Sequence, residues 1–382
     1  MRWMIPYDQL SQKQYRVLTS ITSELSRAHW VQGFAGSGKT IVLTHLIERV
    51  ASLDRDATLC FITYTHALKD LVATGISKQI ADRVVVKTHT RFMSDHEPFD
   101  FVFLDEVQDI SPSDLQRIRS LSRNLYIAGD PDQRIYVESA HERQIEHLIA
   151  PRSWHLTEIF RLSRLLKAVA LHVFSGARVV EGSDAMKGAE VSIRLMKADT
   201  PLQEAIWVWN EARRRARPGY PSAILLPTHS AIQSFASLVA TYAGLPSPPE
   251  VYRRDYSTFN EYWRSHDLPL SYLGNGHGSL PTSDMAPMVY LMTFHSAKGL
   301  DFDNVFIPRM NEHTSIVHRD ALRRDPELDR RLLFVAVTRS RENLFLSYSS
   351  TRPHPYLVGL PGVVASRVPT EAEDVDADEE FF

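Results

Sequence analysis

Residues Gly33 to Thr40 read GFAGSGKT and fit the pattern G-x-x-x-x-G-K-[ST]. The chemistry this pattern serves is the holding of a polyphosphate. Gly33, Ala35, Gly36, Ser37 and Gly38 form a loop tight enough to turn backbone N–H groups inward on an anion. Lys39 adds a point charge for the outer phosphates, and the Thr40 hydroxyl suits a Mg²⁺ ligand. A second chemical stretch is Asp105-Glu106, placed where the apolar run Phe99 to Leu104 ends. One carboxylate there can hold the metal while the other takes a proton from an attacking water. Gln133, in the polar run Gly129 to Gln133, follows another apolar run and can sense the terminal phosphate. Gln14, about 20 residues before the loop, has an amide that could read an adenine edge.

These groups need a scaffold that brings strand ends together. The stretch Ala28 to Phe34 reads as a buried strand and Ile41 to Ala51 as a helix, which would lay its positive N-terminus under the phosphates. Further strands are expected at Thr58 to Tyr64, Arg83 to Lys87, Phe99 to Leu104 and Asn124 to Ala128. This alternation of strand and helix predicts a doubly wound α/β unit over 1–150. A second α/β set is expected over 151–352, with strands at Trp154 to Thr157, Val191 to Leu195, Ala223 to Leu226, Met288 to Thr293, Val305 to Pro308 and Leu344 to Tyr348. It has no phosphate loop of its own. Between 244 and 287 the pattern gives way to a Pro-, Gly- and aromatic-rich insert. Its Tyr252, Tyr256, Phe259, Tyr262 and Trp263 read as a local hydrophobic cluster in preference to a duplex-facing wedge. Residues 353–382 form a C-terminal extension.

Composition narrows the class. With 43% hydrophobic and 23% charged residues the chain can bury a real core. No apolar run reaches about 18 residues, the length a membrane span needs, and the start MRWMIPYDQL lacks a signal-peptide core. A cytoplasmic location is expected. The single cysteine, Cys60, excludes an internal disulfide and a Cys-rich metal site. The net charge of −3 hides an acidic end: residues 371–382 hold seven acids and no base. That tail is expected to be disordered, and either to dock on a partner or compete for a basic groove or to be a solvated end with no role. The rest of the chain is mildly basic, which is compatible with nucleic acid.

Taken in order, the motifs resemble those of superfamily 1 helicases of the UvrD/Rep type, from about Leu10 to Tyr348. The resemblance implies two RecA-like domains with parallel sheets and an ATP site in the cleft between them. It implies ATP and Mg²⁺ as cofactors, with Gln14 at the adenine, Lys39 on phosphate, Thr40 and Asp105 on the metal, Glu106 as base and Gln133 as phosphate sensor. Phe160 resembles the family's adenine-stacking aromatic. Arg161 resembles its γ-phosphate arginine, and Arg339, in VAVTRSR, its arginine finger. In TFHSAKGLDF, Gly299 and Asp301 stand on the nucleotide side, with Asp301 where Glu is usual. Thr63, Tyr64, Thr88, His89, Tyr136, Thr293 and His295 match positions that contact nucleic acid. The function implied is an ATP hydrolase acting as a single-strand translocase or minimal helicase, on DNA in preference to RNA. The alternative is a nucleotide-gated regulatory NTPase subunit that does no work on DNA.

The departures from the family are substantial. Only about fifteen residues separate His89 from Asp105, where the family usually inserts a large accessory domain. The second accessory insertion shrinks to the 244–287 segment. No aromatic follows Tyr136, where Val137-Glu138-Ser139-Ala140 stands instead. A protein partner that supplies the missing surface is therefore expected.

Overall fold

A computed structural model describes residues 4–160, 162–178, 191–280 and 286–369. Thirteen strands are defined within them: β1 (His29–Gly33), β2 (Leu59–Thr63), β3 (Val84–Thr88), β4 (Phe99–Leu104), β5 (Ser122–Gly129), β6 (Arg152–Leu156), β7 (Ser192–Lys197), β8 (Ser222–Leu226), β9 (Leu270–Tyr272), β10 (Val289–Thr293), β11 (Phe302–Ile307), β12 (Ser340–Tyr348) and β13 (Ala365–Arg367). They form two sheets, ordered β3-β2-β4-β5-β1-β6 and β13-β7-β12-β11-β8-β10-β9. Every pairing is parallel. A parallel sheet is covered on both faces, which is why β2, β8 and β10 are buried at every position. This is the two-unit α/β architecture that the strand and helix spacing predicts.

The division at residue 150 does not hold. β6 was expected to open the second set, but it pairs with β1 from His29↔Arg152 to Gly33↔Leu156 and closes the edge of the first sheet. The extension beyond 352 is likewise not separate, because β13 pairs with β7. Both strands join the sheet edge that their connections can reach, which sequence pattern alone does not fix. The acidic tail, from residue 370 on, lies outside the described residues.

The insert is built as core. β9 adds to β10 at the sheet edge, and the helix Ser257–Ser265 packs over it. Tyr256, Phe259 and Trp263 are buried, and Tyr256 stacks on Tyr272. Tyr252 instead stands in solvent. Tyr262 packs half-buried against the same cluster and on Trp263, so the cluster reading fits four of the five aromatics and fails for Tyr252. Cys60 is buried, and burial pushes its thiol up to about 12, so it packs and does not react. Among the described residues no helix is long and apolar enough to cross a membrane.

The two units share a seam. Phe34, in the phosphate loop, meets Phe334 of the second unit edge-to-face at 5.5 Å. Below it, Asp325 pairs with both Arg134 and Arg331, and Arg331 Nε donates to the Arg134 carbonyl at 2.7 Å. Burial would raise the Asp325 pKa, but the Arg331 and Arg134 charges outweigh it and hold it low.

Trp263→Ala should cost about 3–5 kcal/mol, the usual range for emptying a buried aromatic site. Tyr252→Ala should stay within about 0.5 kcal/mol of wild type. Denaturant unfolding of the two variants checks the core role of the insert; similar stabilities would contradict it.

Candidate nucleotide and nucleic-acid site

The phosphate loop is shaped by local sterics. Gly38 has φ 85°, and a Cβ there would lie 2.4 Å from the Gln14 amide nitrogen. The helix Lys39–Leu53 begins immediately after it. Lys39 Nζ donates to the carbonyls of Gly33 at 2.7 Å and Phe34 at 3.2 Å, so it folds back over its own loop. Gln14 is buried and occupied at both ends. Its Nε2 donates to Ser37 O at 3.0 Å, and its Oε1 accepts from Ser11 N at 3.0 Å. It pins the loop to the first helix, an arrangement its residue type did not announce. The Phe160 N–H donates to Gly36 O at 3.1 Å, which sets this aromatic beside the loop. Arg161 lies outside the described residues.

Thr40 Oγ1 donates to Asp105 Oδ2 at 2.6 Å, so the two expected metal ligands meet across the end of β4. Burial, then the neighbouring Glu106 charge, pushes Asp105 up to about 7. Among the described residues no cluster of three or more His, Cys, Asp or Glu could hold a metal by itself. One carboxylate and one hydroxyl would suffice as the protein donors of a Mg²⁺ otherwise held by phosphates and water, so the residues fit MgATP.

Glu106 sits at φ 55°, a left-handed conformation that is strained for a non-glycine. Gln108 Nε2 donates to it. From the second unit, Lys298 Nζ comes to 3.7 Å from Glu106 and 2.6 Å from Asp109, and donates to Gln133 O. Burial would raise Glu106, but Lys298 and then Lys39 more than offset it and keep the carboxyl low. Asp109 goes the other way, pushed up to about 6 by burial despite Lys298. Arg339 is also buried. It donates to Gln133 Oε1 at 3.3 Å, Val335 O at 2.8 Å and Leu300 O at 3.3 Å, with Asp301 at 3.8 Å. Gln133 in turn donates to Asp130 Oδ2 at 2.7 Å. Gly299, at φ 79°, turns the chain between Lys298 and Asp301.

Lys298 and Asp109 were not among the expected site residues. A signal existed, since Lys298 lies inside the TFHSAKGLDF block and Asp109 ends LDEVQD. A lone lysine or aspartate at those positions carries no chemistry until its partner is known.

A second group gathers on the other side of these segments. Tyr64 stacks parallel to His89 at 6.1 Å between centroids, lies 4.9 Å from Tyr136, and Tyr136 lies 5.4 Å from His295. Four of the expected nucleic-acid residues thus form one row that crosses from the first unit to the second. Thr63, Thr88 and Thr293 are different. They end β2, β3 and β10, are buried, and spend their hydroxyls on the turns that follow, with Thr63 on Thr65 O, Thr88 on Arg91 N and Thr293 on Ser296. In this structure they shape the loops and do not face outward.

A family profile described as the UvrD-like helicase C-terminal domain matches residues 157–351, half of the chain. The chain belongs to the UvrD-like helicase family. An AAA domain profile matches residues 9–188 of the same UvrD-like chain. The ATP-dependent DNA helicase Rep of Buchnera aphidicola is 45% identical over 68 residues, 17% of this chain and 10% of that protein. DNA helicase II of Escherichia coli is 48% identical over 66 residues, 17% of this chain and 9% of that protein. The aligned segments thus span about a tenth of these relatives. An Arterivirus nonstructural protein 10 (helicase) structure aligns with TM-score 0.45 and 13% identity, covering 89% of this chain and 62% of that one.

His295 gives a pH signature. Burial, then the Lys298, His229 and Arg254 charges, pushes its imidazole from 6.5 down to about 4. The unfolded chain takes up this proton below about 6.5 and the folded chain does not, so the contribution to stability is full above that pH and is lost as pH falls. At pH 5 the loss from this group is about 2 kcal/mol. The stability difference between pH 7 and pH 5, measured by urea unfolding, should shrink by about that amount in His295→Gln. An unchanged difference would mean the imidazole is not held neutral.

Proposed function

We propose that this UvrD-like chain is a nucleic-acid-stimulated ATPase that moves along single-stranded DNA. One observation carries the reading. Two short segments each have one residue at the nucleotide side and another in the aromatic row. Gln133, three residues before Tyr136, meets Arg339 and Lys298. Lys298, three residues after His295, meets Glu106 and Asp109. A strand that displaces the row must therefore shift the groups that face the phosphates, and the reverse also holds.

In the reaction, Lys39 and the loop amides would neutralise the phosphates, while Thr40 and Asp105 would hold Mg²⁺, which polarises the transferring phosphoryl group. Glu106 accepts the proton of the attacking water once Lys298 and Gln108 release it. Arg339 and Arg161 stabilise the charge that develops on the departing group. Gln133 reports the presence of that group to Tyr136. DNA is preferred to RNA, and Phe160 stacks on the adenine.

The same geometry supports slow turnover without nucleic acid, since Glu106 accepts from Gln108 and faces the Lys298 charge in this arrangement. Strand separation asks for more surface than the row offers. Each base-pair step costs roughly 0.6–2.2 kcal/mol to open, and the insert is spent on core. A protein partner is therefore assigned the duplex-opening role, with poor unwinding by the chain alone.

ATP hydrolysis measured with and without single-stranded DNA tests the reading. Stimulation of about tenfold or more is expected in the wild type. Lys39→Ala should lose nucleotide binding, and Glu106→Gln should bind ATP but stall. Arg339→Ala should bind ATP with turnover reduced by about 10³ or more. Hydrolysis that ignores single-stranded DNA would favour the nucleotide-gated switch. Wild-type turnover in Glu106→Gln would sink the base assignment.

A further inference from the structure

The turn Tyr252-Arg253-Arg254 is not used by the core or by the site above. Tyr252 is 72% exposed, and the Arg253 guanidinium lies 5.2 Å from its ring centroid. Arg253 and Arg254 are both non-glycine residues at positive φ, 48° and 63°. Two successive left-handed arginines cost on the order of 1 kcal/mol each or more. Among the described residues neither guanidinium has an ion-pair partner. The adjacent Asp255 is committed to Ser257 and faces His277.

The location of the turn gives it a use. The Arg254 charge reaches the aromatic row, where it adds to burial and the Lys298 and His229 charges in holding the His295 imidazole low. Beside it, Gly274 and His277 close an antiparallel bridge. The tip of that turn meets the first unit, where a Cβ on Gly276 would lie 3.7 Å from the His66 ring. His66 follows Tyr64 by two residues, so this tip lies beside the Tyr64 part of the row, while Arg254 faces its His295 end.

We propose that Tyr252, Arg253 and Arg254 form a second nucleic-acid contact, which grips the strand where it leaves the row. The guanidinium forks match backbone phosphates, and the exposed ring offers a face on which a base can stack. The inference rests on the reading of the row as a single-strand site and extends it to residues of the insert. An isolated exposed arginine is ordinarily a solvated side chain. Strain on two successive residues, two charges without an ion-pair partner among the described residues and an adjoining exposed ring distinguish this turn.

The test is binding of a labelled oligothymidylate of about 20 nucleotides, followed by anisotropy over a range of salt concentrations. The double variant Arg253→Gln/Arg254→Gln should bind on the order of tenfold more weakly near 0.1 M salt. Its slope of log K against log salt should be shallower by about 1.4, the value for two lost phosphate contacts on a single strand. The double lysine variant should keep the slope. Tyr252→Ala should weaken binding several-fold with the slope unchanged. Hydrolysis of ATP without oligonucleotide should match wild type in all three, since the turn touches no nucleotide-side group. Wild type that binds while the double glutamine variant matches it in affinity and slope would overturn the inference alone. Wild type that binds no oligonucleotide would overturn the single-strand reading and the inference with it.

Discussion

Lys298 crosses from the second unit and buries its ammonium against Asp109 and Glu106 of the first. A charge removed from water is costly unless its partners are close and well placed, and loss of one partner leaves the other stranded. The contact therefore fixes the spacing of the units at the point where the phosphates would sit. Arg339 on Gln133 and the Arg134–Asp325–Arg331 group add two further polar ties across the same seam. Phe34 against Phe334 supplies the apolar one. Polar ties are specific in distance and direction, whereas apolar contact tolerates sliding. A seam that mixes the two can hold one arrangement firmly and still pass to another when a ligand competes for the charges.

Much of this was legible in the sequence, for identifiable reasons. The phosphate loop and the two acids after β4 are local patterns whose chemistry depends on neighbours in the chain. The longer strands announce themselves as apolar runs bounded by polar turns. β9 and β13 do not, because three residues carry no period. β6 is visible as a strand but not as a member of the first sheet, since pairing is decided by the path of the crossover. The least legible parts were the contacts between distant segments. Nothing in the types of Lys298, Asp109, Arg134 or Asp325 says that they meet.

Residue type also overstates what a side chain is free to do. The family resemblance places Thr63, Thr88 and Thr293 against nucleic acid, yet each hydroxyl is consumed by the turn after its strand. Gln14 is engaged at both ends of its amide. Both cases follow from the same constraint: buried polar groups must be satisfied locally, and the nearest backbone wins unless a ligand offers more. The aromatics of the row are exempt, because a ring face needs no hydrogen-bond partner. They are accordingly the expected contacts that the fold leaves together in one place.

The order of strands in the second sheet has a consequence for how the chain is made. β7 lies between β12 and β13, so neither of its neighbours exists until Ser340 and then Ala365 have been synthesised. The first sheet is complete once β6 has emerged, and it can fold while the rest is still being added. β7 must wait with both edges unpaired, the condition in which a strand is most open to pairing with the wrong chain. Its sequence, SIRLMK, carries Arg194 and Lys197 among the apolar residues. Charges at such positions blunt wrong pairing of an exposed edge, and in the finished fold Arg194 also lies over the Phe345 ring.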